Sequence, residues 1–168
     1  DERAFFANFA VDAETYFSVY PEIYVPDDQI AAWKSDPMGA IVGHVLAQKY
    51  NWKVGDTITL RGTIYPGDWR YRISGIYTSK NKAFDNSSFL CHWKYLNDGV
   101  PESRKERIGW LGIRVKDASK GPAVSRAIDA LFASSDAETL TESERAFNLS
   151  FISMYSAIFT AIDVVSFV

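Results

Sequence analysis

His44 and His92 are the only histidines, and Cys91 the only cysteine, in this chain of 168 residues. Metal ligation or nucleophilic catalysis would be built most directly from such side chains, but their arrangement supports neither. The histidines are far apart without an H-x-x-x-H pattern, and a single cysteine can form neither an internal disulfide nor a cysteine-based zinc site. No G-x-S-x-G elbow exposes a serine, so a triad on either histidine has no local basis. Asp27 and Asp28 are adjacent, which suits the start of a helix better than acid–base work. G-x-G-x-x-G and G-x-x-x-x-G-K-[ST] loops are both missing, so this chain signals no nucleotide site. The sequence therefore points to no cofactor, no metal and no catalytic residue. Cys91, within Phe89-Leu90-Cys91, reads as a small buried hydrophobe.

Charge removes a further class. The formal net charge is −3, and the densest basic cluster, Arg104-Lys105-Glu106-Arg107, is broken by a glutamate. A phosphate backbone would meet no basic surplus here, so nucleic acid is not an expected partner. Hydrophobic residues at 47% and charged residues at 23% are ordinary values for a globular chain.

The elements that would position any site follow from periodicity. Arg3 to Val11 reads as a strand, and Asp12-Ala13-Glu14 as a helix start. Asp27 or Asp28 is expected to cap a short helix carrying Ile30, Ala31 and Trp33, closed at Ser35-Asp36-Pro37. Across Gly39 to Tyr50, the residues Ile41, Val42, Val45 and Leu46 recur at helical spacing, predicting one amphipathic helix. Gly55-Asp56 is then either an anion cradle or a joint. A lone glycine before an acid favours the joint, with Gly55 at positive φ turning the chain into the next strand.

Thr57 to Tyr65 alternates through Ile58, Leu60 and Ile64, and Trp69 to Thr78 through Trp69, Tyr71, Ile73 and Tyr77, with Pro66-Gly67-Asp68 as hairpin turn. Further strands are predicted at Phe84 to Trp93, Ile108 to Lys116 and Glu138 to Thr141. A helical turn is predicted at Lys94 to Asn97, and a helix after Gly121-Pro122 that buries Val124, Ile128, Leu131 and Phe132.

The carboxyl end, FISMYSAIFTAIDVVSFV from Phe151 to Val168, has bulky residues all round a helical wheel and Asp163 as its only charged side chain. Two readings stand: a membrane span entered here, or a helix buried in a soluble core or dimer. Ser153, Ser156, Thr160 and Asp163 recur at three- and four-residue steps as one polar stripe, of the kind that lets helices approach closely.

The run Gly39-Ala40-Ile41-Val42-Gly43, Leu46-Ala47-Gln48-Lys49 and Trp52-Lys53-Val54-Gly55-Asp56-Thr57-Ile58-Thr59-Leu60 resembles the signature of the MacB-like periplasmic core domain of FtsX-type ABC transporter permeases. Phe9 to Tyr16 and Tyr71 to Tyr77 resemble flanking pieces of the same family. The resemblance implies an α+β, two-lobed domain, with a βαβ-type membrane-proximal lobe from residues 1–20 and 105–145 and a second α/β lobe from 21–104 inserted in it. Residues 146–168 would form a stalk and the start of a transmembrane helix.

It further implies a non-catalytic domain on the periplasmic side of the bacterial inner membrane, held there by flanking helices. It would work with a cytoplasmic ABC ATPase and a periplasmic adaptor or lipoprotein, in a transporter that is dimeric when complete. The family's first span, and the strand and helix after it, have no counterpart here, so the chain reads as a fragment. Two other readings compete. A sensory or solute-binding domain would line a pocket with Trp33, Trp52, Trp69, Trp93 and Trp110, and a small hydrolase would use His44 or His92.

Overall fold

A computed structural model describes residues 6–79, 85–147 and 149–150. In chain order the elements are β1 (Asn8–Val11), α1 (Tyr16–Val19), β2 (Ile23–Tyr24), α2 (Asp27–Ser35), β3 (Gly39–Gly43), α3 (His44–Tyr50), β4 (Thr57–Gly62), β5 (Gly67–Ser79), β6 (Phe89–His92), α4 (Trp93–Gly99) and α5 (Gly121–Phe132). One mixed sheet runs β1-β6-β3-β5-β2, with β4 hydrogen-bonded to β5. The class is α+β.

The helix expected from Gly39 starts five residues later. Gly39–Gly43 is a strand buried along its whole length, parallel to β5 on one side and antiparallel to β6 on the other. A strand covered on both faces shows a continuous apolar run instead of alternation, and helical spacing can be found in such a run by accident. The helix proper, α3, begins at His44.

Strand β5 has three neighbours, β4 along its first half, β3 along its middle and β2 at Thr78 and Ser79, and a bulge interrupts its pairing with β3. Its first half pairs with β4, from Gly62↔Gly67 to Thr57↔Arg72. Its second half pairs with β3, where the register moves from Ala40↔Ile73 to Ile41↔Gly75 and leaves Ser74 as the extra residue. The bulge exchanges the two faces. Tyr71 and Ile73 pack with Ala40, Val42, Leu46, Ala47 and Phe89 under α3. Tyr77 instead joins Ile23, Val25, Trp33, Ile41 and Leu90 under α2. The alternation through Trp69, Tyr71, Ile73 and Tyr77 is thus interrupted, and Tyr77 lies on the opposite side from Ile73.

Both faces are therefore covered. Helix α2 comes so close that a Cβ on Gly75 would stand 3.0 Å from the Gln29 side chain, whose Oε1 accepts the Ile76 N–H at 3.0 Å. Neither Asp27 nor Asp28 caps this helix with its side chain; Pro26 is the N-cap, and its carbonyl accepts the N–H groups of Gln29 and Ile30. Asp12 does serve as a local acceptor, taking the N–H and hydroxyl of Thr15 at 2.9 and 2.6 Å. Those bonds lower its carboxyl pKa.

Two predicted strands are not formed. Residues 108–116 and 138–141 carry no strand assignment, and Ile108, Trp110, Leu111 and Ile113 are exposed. Alternation supplies a face, but a strand also needs a hydrogen-bonding neighbour, and no sheet pairing includes either segment among the described residues. Nor does α5 bury Val124, Ile128, Leu131 and Phe132, since no residue of that helix is buried.

The chain divides into two compact units, residues 1–113 and 114–168. Strand β1, from the segment 1–20, pairs with β6 in register Asn8↔Phe89 to Val11↔His92. Residues 8–11 thus share a sheet with elements of 21–104.

Candidate functional site

The glycine joint is built by local chemistry. Helix α3 ends on Asn51 in the left-handed region (φ 53°), and Trp52 N–H returns to Ala47 O at 2.8 Å. Gly55 then takes φ +97°, a conformation that costs a side-chain-bearing residue about 1–2 kcal/mol. Asp56 closes the loop: its Oδ2 accepts the Lys53 N–H at 2.8 Å. Ile73 meanwhile donates to Asp56 O at 2.9 Å and accepts from Gly55 N–H at 2.8 Å. The Gly55 N–H that an anion would need is thus spent on β5. The geometry is that of a joint fixing where β4 starts against β5.

The chemically versatile side chains are held apart from one another. His92 is buried against Trp33, ring centroids 4.7 Å apart, with Nε2 2.8 Å from Trp33 O. His44 is the first residue of α3, and its Nδ1 is out of solvent without a hydrogen-bond partner among the described residues. Cys91 is buried with Sγ 3.6 Å from Phe9 O, and burial pushes its thiol up to about 11. It is inert at neutral pH. No group of three or more potential metal ligands occurs among the described residues.

The five tryptophans do not converge. Trp33 sits in the core cluster under α2 and donates Nε1–H to Gly39 O at 3.2 Å. Trp52 stacks on Tyr50 at 4.8 Å beside the other cluster. Trp69 donates to Tyr65 O at 2.9 Å and Trp93 to Arg107 O at 3.1 Å, while Trp110 is exposed. An open hollow of about 250 Å³ lies between Met38, Arg70, Tyr71, Arg72 and Tyr95, and no tryptophan lines it.

A third cluster ties down the end of β5. Tyr77 donates its hydroxyl to Asp85 O at 2.8 Å and accepts from Ser88 N–H at 3.2 Å; burial raises its pKa to about 12. Burial pushes the Asp85 carboxyl up, but hydrogen bonds from the Ser87 and Ser88 hydroxyls and the Ser87 N–H outweigh it and leave the pKa below the usual value.

In the second unit, α5 has Pro122 in its first turn and an apolar stripe with no fully buried member: Val124 and Ile128 are half-buried and Leu131 is 81% exposed. Asp129 holds the segment after it, accepting from Thr141 N–H and Oγ1–H at 2.9 and 2.7 Å and from Thr139 Oγ1–H at 3.1 Å. A short helical turn spans 144–147. Ser153, Ser156, Thr160 and Asp163 lie outside the described residues. Among the described residues no helix is long and apolar enough to cross a membrane.

The fold is a mixed-sheet α+β domain in which Trp33, Asp56, Tyr77 and His92 bond to its own backbone. The model of the MacB-like periplasmic core domain family matches residues 8–131, and the chain belongs to that family. It is accordingly an extracytoplasmic domain of an ABC transporter permease, a component that works with an ATPase. The family domain is generally non-catalytic, and it stands on the periplasmic side of an inner-membrane protein. No curated protein matches the chain.

Proposed function

We propose that this domain relays ATP-driven motion of its transporter to substrates or partner proteins in the periplasm. The observation that supports the reading is the inequality of the two units: a sheet locked on both faces by buried clusters, and a following unit whose amphipathic helix has no fully buried residue. A relay needs one body that keeps its shape and another that takes up the displacement. Residues 146–168 would form the stalk and the entry to a membrane helix that drives the motion, with Ser153, Ser156, Thr160 and Asp163 packed on neighbouring helices. An adaptor or lipoprotein would be the periplasmic partner, in a dimeric transporter.

The test is Thr160→Leu in the reconstituted transporter. Bulk in the stripe is expected to leave ATP hydrolysis running while transport per ATP falls several-fold. Unchanged coupling contradicts the stripe's role.

A further inference from the structure

The first half of β5 has one paired edge and one open edge. Ile73 exchanges backbone hydrogen bonds with Gly55 and Asp56, so the odd-numbered residues 69, 71 and 73 aim their N–H and C=O groups at β4. Alternation then turns Asp68, Arg70 and Arg72 the other way. On that side Arg72 N–H meets Met38 O at 2.9 Å, and β3 begins only at Gly39, opposite Arg72. The backbone groups of Asp68 and Arg70 therefore have no strand beside them among the described residues. Beside this edge is the open hollow of about 250 Å³, whose lining includes Met38, Asp68, Arg70, Tyr95 of α4 and Thr57 of β4.

The side chains above this edge select what would fill it. Arg61 pairs with Asp68 at 3.7 Å and Arg72 with Asp36 at 3.4 Å. Arg70, between them on the same face, has no ion-pair or hydrogen-bond partner among the described residues. Its guanidinium is available to a carboxylate. On the opposite face the half-buried Tyr95 offers aromatic surface, its ring 5.5 Å from that of Tyr71, which is itself buried in the core.

We infer that the open edge of β5 at Asp68–Arg70 receives a short extended segment of a periplasmic partner protein by β-strand addition. Acidic side chains of that segment would meet Arg70, and apolar ones would meet Tyr95. An unpaired edge offers backbone bonds, and alternate side chains supply the selection. Strand and sheet spacings give an extended residue roughly 160 Å³, so the hollow holds about one to two residues of such a strand. A lipid phosphate would answer Arg70 but cannot satisfy both the N–H and C=O groups of an edge. The proposal rests on the partner-binding part of the reading above and names the chemistry of that partner.

The probe is a fluorescent peptide, Ser-Val-Glu-Val-Glu-Val-Ser, titrated against the full permease in nanodiscs. Saturable binding is expected. It should weaken about tenfold or more when alternate peptide nitrogens are methylated, when Glu is exchanged for Lys, or when the permease carries Arg70→Glu. Arg61→Ala should change it less than about threefold. No saturable binding overturns the proposal, as does equal affinity for the methylated peptide. Binding of anionic vesicles lost in Arg70→Glu, with no peptide binding, also overturns it and assigns the arginine to lipid. Coupling measured on Thr160→Leu is a separate readout: peptide binding can fail while coupling changes, which removes the edge and leaves the relay, and the reverse outcome removes the relay and leaves the edge.

Discussion

Trp33 and Leu131 are both large apolar residues on amphipathic helices, yet Trp33 is 0% exposed and Leu131 81%. The helix of Trp33 rests on a sheet that supplies a complementary face: Ile41, Tyr77 and Leu90 receive the indole, and Gly39 O accepts its N–H. The helix of Leu131 has an apolar stripe of its own, in which Val124 and Ile128 are only half-buried and none is fully buried. Periodicity creates a face in both cases; what differs is a second surface at the right distance. The sheet unit therefore owes its order to its own core, whereas the segment after Arg114 is held by short-range bonds such as those of Asp129. That contrast underlies the assignment of a shape-keeping body and a responsive one.

The contrast breaks most visibly if core and stripe respond alike to truncation. Trp33→Ala is expected to cost about 3–5 kcal/mol and to lower the melting temperature sharply, because it opens a cavity and leaves Gly39 O unpaired. Leu131→Ala should change stability by no more than about 0.5 kcal/mol; comparable losses in thermal melts would remove the distinction.

Gly75→Val sharpens the same point within the sheet. Its Cβ would stand 3.0 Å from Gln29 and 3.4 Å from Val25, and overpacking there should cost about 1–3 kcal/mol. At the joint, where space is open but φ is +97°, Gly55→Ala should cost about 1–2 kcal/mol through the backbone alone. Denaturant titrations separate these from wild type, and a neutral Gly55→Ala would mean that the turn relaxes.

The smallest expected effect is acid sensitivity of the sheet unit. The Asp85 carboxyl titrates below its ordinary value in the folded state. Its contribution to stability is therefore fully present above the unfolded pKa near 3.9 and is lost as pH falls through the lower, folded pKa. Asp85→Asn should flatten the stability loss in that acid window and leave neutral pH behaviour nearly parallel to wild type. An unchanged acid slope would show that its bonds to Ser87 and Ser88 do not discriminate between the charged and neutral forms.

How far the sequence discloses this arrangement depends on whether the determinant is local. The Gly55-Asp56 joint and the hairpin from Thr57 to Ser79 are set by residues within a few positions of each other, although the turn occupies 63–66 and Gly67 and Asp68, expected in it, pair with Gly62 and Arg61 as strand. The strand Gly39–Gly43 was hidden because burial on both faces removes alternation, and the Ser74 bulge because one extra residue leaves no compositional mark. Residues 108–116 show the reverse, a strand-like pattern without a neighbour to pair with. The open edge of β5 could not be read from sequence at all, because Met38, Arg70 and Tyr95 come together only through the order of strands in the sheet. The stripe from Ser153 to Asp163 was legible as a pattern and lies outside the described residues.

Hydrogen exchange on the complete transporter, with and without a non-hydrolysable ATP analogue, tests the central claim most directly. The account predicts that amides at Ile41, Tyr77 and Leu90 keep their protection, while those between 114 and 147 change by about tenfold or more. Equal changes in both regions, or none in either, would contradict it.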